Sequence, residues 1–443
     1  MGLFSWLFGL FGGRSGQTSD RQPDSSLTTR PERITSTDAV GKPNRLPPKI
    51  RSRPRLVPSA QHEALRRRQQ VKQPCLEVAG ASPYRFARFG SRTGQYLDLS
   101  DDGDEALLGQ CGLPVFHTPE QLADWLGLPL NKVAWLVHRF SAGHAVSPEK
   151  AHYHYTWRQK RSGGFRLIES PKQTLKQVQV KILREILDCV ATHPAAHGFV
   201  PGRSIVTNAV PHVGQGIVVK FDLTNFYTTV GFSRVVAIFR RLGYSREAAI
   251  WLGLLTTTAV PSNLPFDRAK LYAVLPYLRR HLPQGAPTSP ALANLSAFHL
   301  DARLSGMAKS FGAQFTRYAD DLTISGPVEL SAGLRTLIPL VEQVIRRERF
   351  QSNRQKRQVL RANQRQSIAG VVVNIKTNVK RADFDHLKAI LTNCVRLGPS
   401  TQNRLGVADF AAHLRGRIAH VIQLNAARGN RLLEIYNGID WRR

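Results

Sequence analysis

Three acidic residues are placed where they could work together. Asp222 ends residues 216–221 (GIVVKF), an apolar run with the length and composition of a buried strand. Asp320 and Asp321 lie far downstream in residues 315–325 (FTRYADDLTIS), an alternating stretch with a turn-like centre at Ala319-Asp320. Two neighbouring carboxylates at a turn repel each other, and apolar strands on either side give no relief. Taken alone, an Asp-Asp pair also fits a solvated turn. Joined by a strand-end aspartate, it fits carboxylates that hold two divalent cations about 4 Å apart. Magnesium suits such a site, because it prefers oxygen ligands and keeps its waters until phosphates replace them. The chemistry would be phosphoryl transfer to a hydroxyl.

The rest of the chain must position these groups and bring their substrate. It has 443 residues, 42% of them apolar, which is room for two or three domains or one multi-lobed enzyme with a tail. Against 31 Asp and Glu stand 62 Lys and Arg, a net charge of +31. A compact protein with that charge repels itself, so a polyanionic partner is the natural reading: nucleic acid first, an anionic membrane surface second. Cys75, Cys111, Cys189 and Cys394 are scattered, with no C-x-x-C pair and no histidines at zinc spacing. Reduced thiols in a cytoplasmic protein fit best. The opening MGLFSWLFGLFGG is too short to span a bilayer and lacks the basic start of a secretory signal, so no transmembrane segment is expected. Its Phe4, Trp6, Leu7, Leu10 and Phe11 fit one side of an interfacial helix or a partly ordered tail.

From about residue 14 to 74, Ser, Thr, Pro, Gln and Arg dominate and apolar residues are sparse, the composition of a disordered segment. Its closing run, from Lys49 through Arg66, Arg67, Arg68 and Lys72, reads as a phosphate-tracking arm or a solvated linker. Thr118-Pro119-Glu120-Gln121 is a helix start, and stripes at Leu122, Trp125, Leu126 and at Val133, Leu136, Val137 follow it. Strands at 153–157 and 165–170 flank a hairpin tip, Arg161-Ser162-Gly163-Gly164. An amphipathic helix is expected over 175–191, a strand over 368–374 (IAGVVVN), and helices over 383–439. Strands and helices mix without a regular βαβ alternation, so the class is α+β.

Tyr318-Ala319-Asp320-Asp321 resembles the catalytic box of reverse transcriptases, and Phe221-Asp222-Leu223-Thr224-Asn225-Phe226-Tyr227 resembles their first aspartate motif. Pro283-Gln284-Gly285-Ala286-Pro287-Thr288-Ser289-Pro290, followed by Ala293-Asn294-Leu295, is similar to their template- and nucleotide-positioning motif. Gly163-Gly164-Phe165-Arg166-Leu167-Ile168, His197-Gly198-Phe199 with Gly202-Arg203-Ser204, and Asn353 with Lys356 extend the likeness, which covers about residues 118–441. It implies an RNA-directed DNA polymerase shaped as a right hand: fingers, a palm with an antiparallel sheet, and a helical thumb. The corresponding domains are a disordered basic extension (1–80), a helical module (81–150), fingers and palm (151–380) and thumb (381–443).

The resemblance implies roles. Asp222, Asp320 and Asp321 would chelate two Mg²⁺, with the Leu223 carbonyl as a further ligand. Arg166 would grip the incoming triphosphate bidentately. Lys160 or Arg161 would assist it, or be plain hairpin charges. Tyr227 would lie under the sugar and exclude a ribose 2′-OH, or be a core aromatic. Gln284 and Gly285 would let the backbone approach the nucleotide. Lys356 would protonate departing pyrophosphate, or be a surface lysine.

Asn208-Ala209-Val210-Pro211-His212 matches an N-A-x-x-H element of retron enzymes, which assigns Asn208 and His212 to RNA. The retron triplet Val-Thr-Gly is Ile368-Ala369-Gly370 here, with the glycine kept and the hydroxyl lost. A helix over 410–423 carries Arg415, Arg417 and His420, a basic face suited to duplex phosphates. No RNase H domain, zinc cluster or maturase-sized extension is expected. The implied partners are a non-coding RNA serving as template and primer, its DNA product, deoxynucleoside triphosphates and an accessory effector protein. Synthesis would start from a guanosine 2′-OH, give branched RNA–DNA, and serve anti-phage defence. The competing readings are a reverse transcriptase of another bacterial defence or diversity-generating lineage, and a catalytically silent RNA-binding scaffold.

Overall fold

The structure, a computed structural model, describes residues 81–90, 94–137, 146–147, 149–160, 163–264 and 270–442. The expected extension of residues 1–80 and the hairpin-tip Arg161 lie outside them. Within them, a strand pair, β1 (Arg88–Gly90) and β2 (Gln95–Leu97), leads to helix α1 (Glu105–Gln110), capped by the Asp104 carboxylate. The helix start read from the sequence is a full capping box. The Thr118 hydroxyl accepts from the Gln121 N–H, and the Gln121 side chain accepts from the Thr118 N–H, opening α2 (Pro119–Leu126). Helix α3 (Leu130–Val137) buries the predicted Val133, Leu136 and Val137.

The expected hairpin is β3 (Tyr153–Gln159) against β4 (Phe165–Pro171). Helix α4 (Gln173–Ile182) stops short of the expected 175–191. A π turn, Leu183–Leu187, continues it, with the Asp188 N–H donating to the Leu183 carbonyl. The wider turn lets the adjacent Ile186 and Leu187 both enter the core. Next come α5 (Ile205–Ala209), a 3₁₀ turn Val210–His212, strand β5 (Ile217–Asp222) and a short helix α6 (Phe226–Thr229). Helices α7 (Phe232–Leu242), α8 (Arg246–Thr256), α9 (Ser289–Ser296) and α10 (Phe298–Ser310) precede the hairpin β6 (Gln314–Tyr318) and β7 (Asp321–Gly326). Helix α11 (Leu330–Arg347) leads to β8 (Gln358–Arg361).

Strands β5 to β8 make one antiparallel sheet in the order β6–β7–β5–β8. Alternation along β5 splits it between two cores. Ile217, Val219 and Phe221 join the larger one, with Leu322 and Ile324 of β7 and helix residues such as Leu292, Leu300 and Leu337. Val218 points into the second, with Leu391, Leu414 and Ile418. Burial on both faces explains why β5 reads as an unbroken apolar run. Each such side chain contributes about 1.5–3 kcal/mol.

The single strand expected over 368–374 is instead a tight hairpin, β9 (Ser367–Ile368) and β10 (Val371–Val372). Ala369 (φ 46°) and Gly370 (φ 87°) form its two-residue loop. Positive φ at both positions is the I′ pattern, in which Gly370 is at home and Ala369 is strained. Helices α12 (Arg381–Leu397), α13 (Phe410–Leu424) and α14 (Ala426–Asn437) close the chain. Their core takes in Ile368, Val371 and Val373, so it begins upstream of residue 381. Among the described residues Cys111, Cys189 and Cys394 are free thiols, and no helix is long and apolar enough to cross a membrane.

Candidate active site

The sheet brings the three aspartates together from its two central strands. Asp222 at the end of β5 stands opposite Asp321 at the start of β7. Asp320 fills the β6–β7 turn beside Ala319, which takes a left-handed φ of 55°. The Leu223 N–H donates to the Asp320 carbonyl at 2.9 Å and fastens the two stretches. Burial first, then the charges of Asp321 and Asp222, push the Asp320 carboxyl up to about 6. Asp321 is also raised, chiefly by burial; Lys220 and Lys356 oppose the shift and Asp222 adds to it.

A cation already answers part of this charge. Lys356 Nζ lies 2.9 Å from Asp222 Oδ2. It is delivered by a 3₁₀ turn, Arg354–Lys356, whose cap Asn353 donates its N–H to the Asp222 carbonyl. Among the described residues no three acidic, imidazole or thiol groups enclose a metal ion by themselves. The donor set still fits divalent cations. It has oxygen ligands, and crowded, raised carboxyls at Asp320 and Asp321 that a cation would relieve.

Other cations gather on the β3–β4 hairpin. Burial, then the charges of Arg166 and Lys356, push the Lys160 ammonium down, while Asp222 pulls it the other way. Lys160 therefore lies near Arg166, Lys356 and Asp222. Arg158 and Arg166 face each other across the hairpin. Like charges so placed weaken a strand pair unless an anion bridges them. Tyr227, in α6, is half-buried. Burial, then the nearby Asp320, drives its phenol above the ordinary range. Gln284 and Gly285 pack on β4. The Glu169 N–H donates to the Gln284 carbonyl at 2.9 Å, and a Cβ on Gly285 (φ 139°) would stand 2.9 Å from the Glu169 carbonyl oxygen. The close approach that requires Gly285 is thus to the protein's own strand.

Asn208 and His212 are not surface contacts for RNA. They are 1% and 0% exposed. His212 Nδ1 is 2.6 Å from Ser325 Oγ, and Nε2 is 2.7 Å from Thr316 Oγ1. The Thr316 hydroxyl donates to the Asn208 carbonyl, so it accepts from Nε2–H, and Nδ1 accepts from Ser325. Burial holds the imidazole near 4, hence neutral at pH 7. The pair clamps both strands of the β6–β7 hairpin. Arg415 and Arg417 do not form one open face, because residues two apart on a helix point in different directions. Arg415 is exposed and covers the Tyr436 ring; Arg417 is half-buried, its guanidinium pushed down by burial and held up by Asp383.

Beneath the turn lies a group that sequence reasoning passed over. Arg317 of β6, wholly buried, grips Asp301 of α10 bidentately, with both bonds at 2.7 Å. Its Nη1 also donates to Asn294 Oδ1 at 2.8 Å and to the Ala319 carbonyl at 3.0 Å. Asn294 in turn donates to the Gly198 carbonyl, and a Cβ on Gly198 would come 2.6 Å from Ala319 N. A second buried pair, His281–Glu169 at 2.9 Å, ties β4 to the segment before Gln284. One signal was readable: Arg317 shares a strand face with Phe315, and an inward arginine must have a partner.

The sequence family described as reverse transcriptase (RNA-dependent DNA polymerase) matches residues 158–381. The retron Mx65 reverse transcriptase of Myxococcus xanthus is 36% identical over 397 residues, covering 90% of this chain and 88% of that protein. This chain belongs to the retron reverse transcriptases. The retron Mx162 enzyme of the same organism is 35% identical (73% of this chain, 67% of that protein), and the retron Ec86 enzyme of Escherichia coli is 30% identical (60% and 74%). As a retron reverse transcriptase the chain is an RNA-directed DNA polymerase working with a non-coding RNA template and deoxynucleoside triphosphates, in a family that uses divalent metal ions. The missing hydroxyl of Ile368-Ala369-Gly370 does not remove it from that family. The glycine that is kept serves the left-handed loop.

Proposed function

We propose that this enzyme copies a partner non-coding RNA into branched RNA–DNA, with synthesis at the turn formed by Asp222, Asp320 and Asp321. The single observation that carries the site is the convergence of these carboxylates from β5 and β7, opposite a cationic hairpin. In this reading the three carboxylates, with the Leu223 carbonyl, hold two Mg²⁺, which would supply charge neutralisation at the transferred phosphoryl group. Arg166 and Lys160 receive the triphosphate, a role the like-charged Arg158–Arg166 register favours. Lys356 leaves Asp222 to hand a proton to pyrophosphate. Tyr227 underlies the sugar, placed by the short helix after Asp222. The β3–β4 hairpin serves as fingers, the four-stranded sheet as palm, and α12 to α14 as thumb. Arg415, exposed on α13, would meet duplex phosphates. A 2′-OH start, a role in phage defence and an effector partner belong to the same proposal.

The test is to purify the protein from its host, digest the RNA and analyse what remains. A short DNA still joined to one ribonucleotide through a 2′–5′ bond is the expected result. Copurified RNA with no attached DNA, together with no incorporation of labelled deoxynucleotides, would sink the proposal.

A further inference from the structure

We propose that Phe199 is a substrate-binding residue, its ring stacking on a nucleotide of the template–primer duplex beside the growing end. Phe199 is 45% exposed and takes φ 58°. A bulky side chain in the left-handed region is a true outlier, and such strain collects at functional sites. Glycine would relieve the backbone, and half of the apolar surface stays in water.

The loop that carries Phe199 is fixed to the carboxylate turn. The Arg317 N–H donates to the Ala195 carbonyl at 2.7 Å, and the His197 N–H donates to the Arg317 carbonyl at 2.8 Å. The Gly198 carbonyl accepts from Asn294, and Gly198 lies against Ala319. The Phe199 ring centroid is 6.4 Å from that of Tyr318, which pairs with Asp321 across the turn. A partly exposed ring beside a half-buried tyrosine, in a chain of net charge +31, fits the flat face of a base or sugar. This rests on placing the active site at Asp320 and Asp321.

The test measures equilibrium binding of a template–primer duplex without nucleotide, so synthesis is not needed. Stacking of one base on a ring is worth on the order of tenfold in affinity. Phe199→Gly and Phe199→Leu should each weaken binding about tenfold, while Phe199→Tyr and Phe199→Trp stay within twofold of the parent. Phe199→Gly should not lower the melting temperature, which separates a lost contact from a damaged fold. 2-Aminopurine placed near the primer end, in the template or in the primer, should lose its quenching in Phe199→Gly in one strand, which identifies the nucleotide contacted. Unchanged binding by Phe199→Gly, or an equal loss in Phe199→Tyr, or no fluorescence change in either strand, overturns the proposal. Failure of the active-site reading would appear separately, as DNA synthesis by Asp321→Asn.

Discussion

The turn and the body of the β6–β7 hairpin are opposites. In the body the buried charge is matched: Arg317 and Asp301 are both 0% exposed and doubly bonded. His212 has a hydroxyl on each ring nitrogen. At the turn, Asp222, Asp320 and Asp321 crowd together, and among the described residues only Lys356 makes an ion pair with Asp222. The difference shows how a fold keeps unbalanced charge in place. Ala319 holds a left-handed backbone at the turn because Arg317 takes its carbonyl and Gly198 leaves room for its N–H side. Changes at the turn should therefore cost chemistry, and changes in the body should cost the fold.

The sharpest way to break this contrast is Asp321→Asn. DNA synthesis should fall on the order of 10⁴-fold, as for groups that act as a unit. RNA binding and the melting temperature should hold, because only a raised, crowded charge has been removed. Full activity would end the carboxylate assignment. Beneath the turn, Arg317→Met should cost roughly 3–5 kcal/mol in denaturant unfolding, since it strands the Asp301 carboxylate in the core. Arg317→Met with Asp301→Leu should recover most of that stability but little activity, because Ala319 still lacks its donor. A double variant no more stable than the single one would show that the pair is not the unit.

What was legible follows the same division. Strand β5, the Asp-Asp turn and the Thr118 capping box are encoded locally, by alternation and by turn and cap chemistry, and the sequence reading placed all three. The body was misread because its residues are defined by what packs on them from far along the chain. Asn208 and His212 are polar residues in a short stretch broken by Pro211, too short to show a helical period, so nothing local announces that they are buried under β6 and β7. Arg317 looked like one more basic residue in a basic chain. Residues 368–374 read as one strand because Ala369 does not suggest a left-handed turn. The pairing partners of Arg317 and His281, at Asp301 and Glu169, can be found only through tertiary contact.

A smaller effect separates a clamp from an RNA contact. His212→Phe keeps a buried ring but leaves the Thr316 and Ser325 hydroxyls without their partner, at a cost of about 1–3 kcal/mol. Affinity for the non-coding RNA should stay within about twofold, a change of under 0.5 kcal/mol. A tenfold loss of affinity with unchanged stability would restore the contact role and erase the contrast.

The subtlest difference between turn and body is the sign of their response to pH. The Asp320 carboxyl is raised from 3.8 to about 6, so between these values the folded state holds a proton that the unfolded chain has lost. Its contribution is greatest at low pH and fades as pH rises toward 6. His212 is lowered from 6.5 to about 4, so there the unfolded chain holds the extra proton. Its contribution is complete above 6.5 and fades as pH falls toward 4; His197, also held near 4 by burial, acts in the same direction. Between pH 4 and 6 turn and body therefore oppose each other in the metal-free protein. Melting temperatures taken with a chelator should rise more steeply with pH in Asp320→Asn than in the parent, and less steeply in His212→Phe. Added Mg²⁺ should move the parent toward the Asp320→Asn slope, because a bound cation favours the ionised carboxyl. Identical slopes in all three proteins would mean that charge at the turn and in the body of the hairpin is not balanced as the geometry implies.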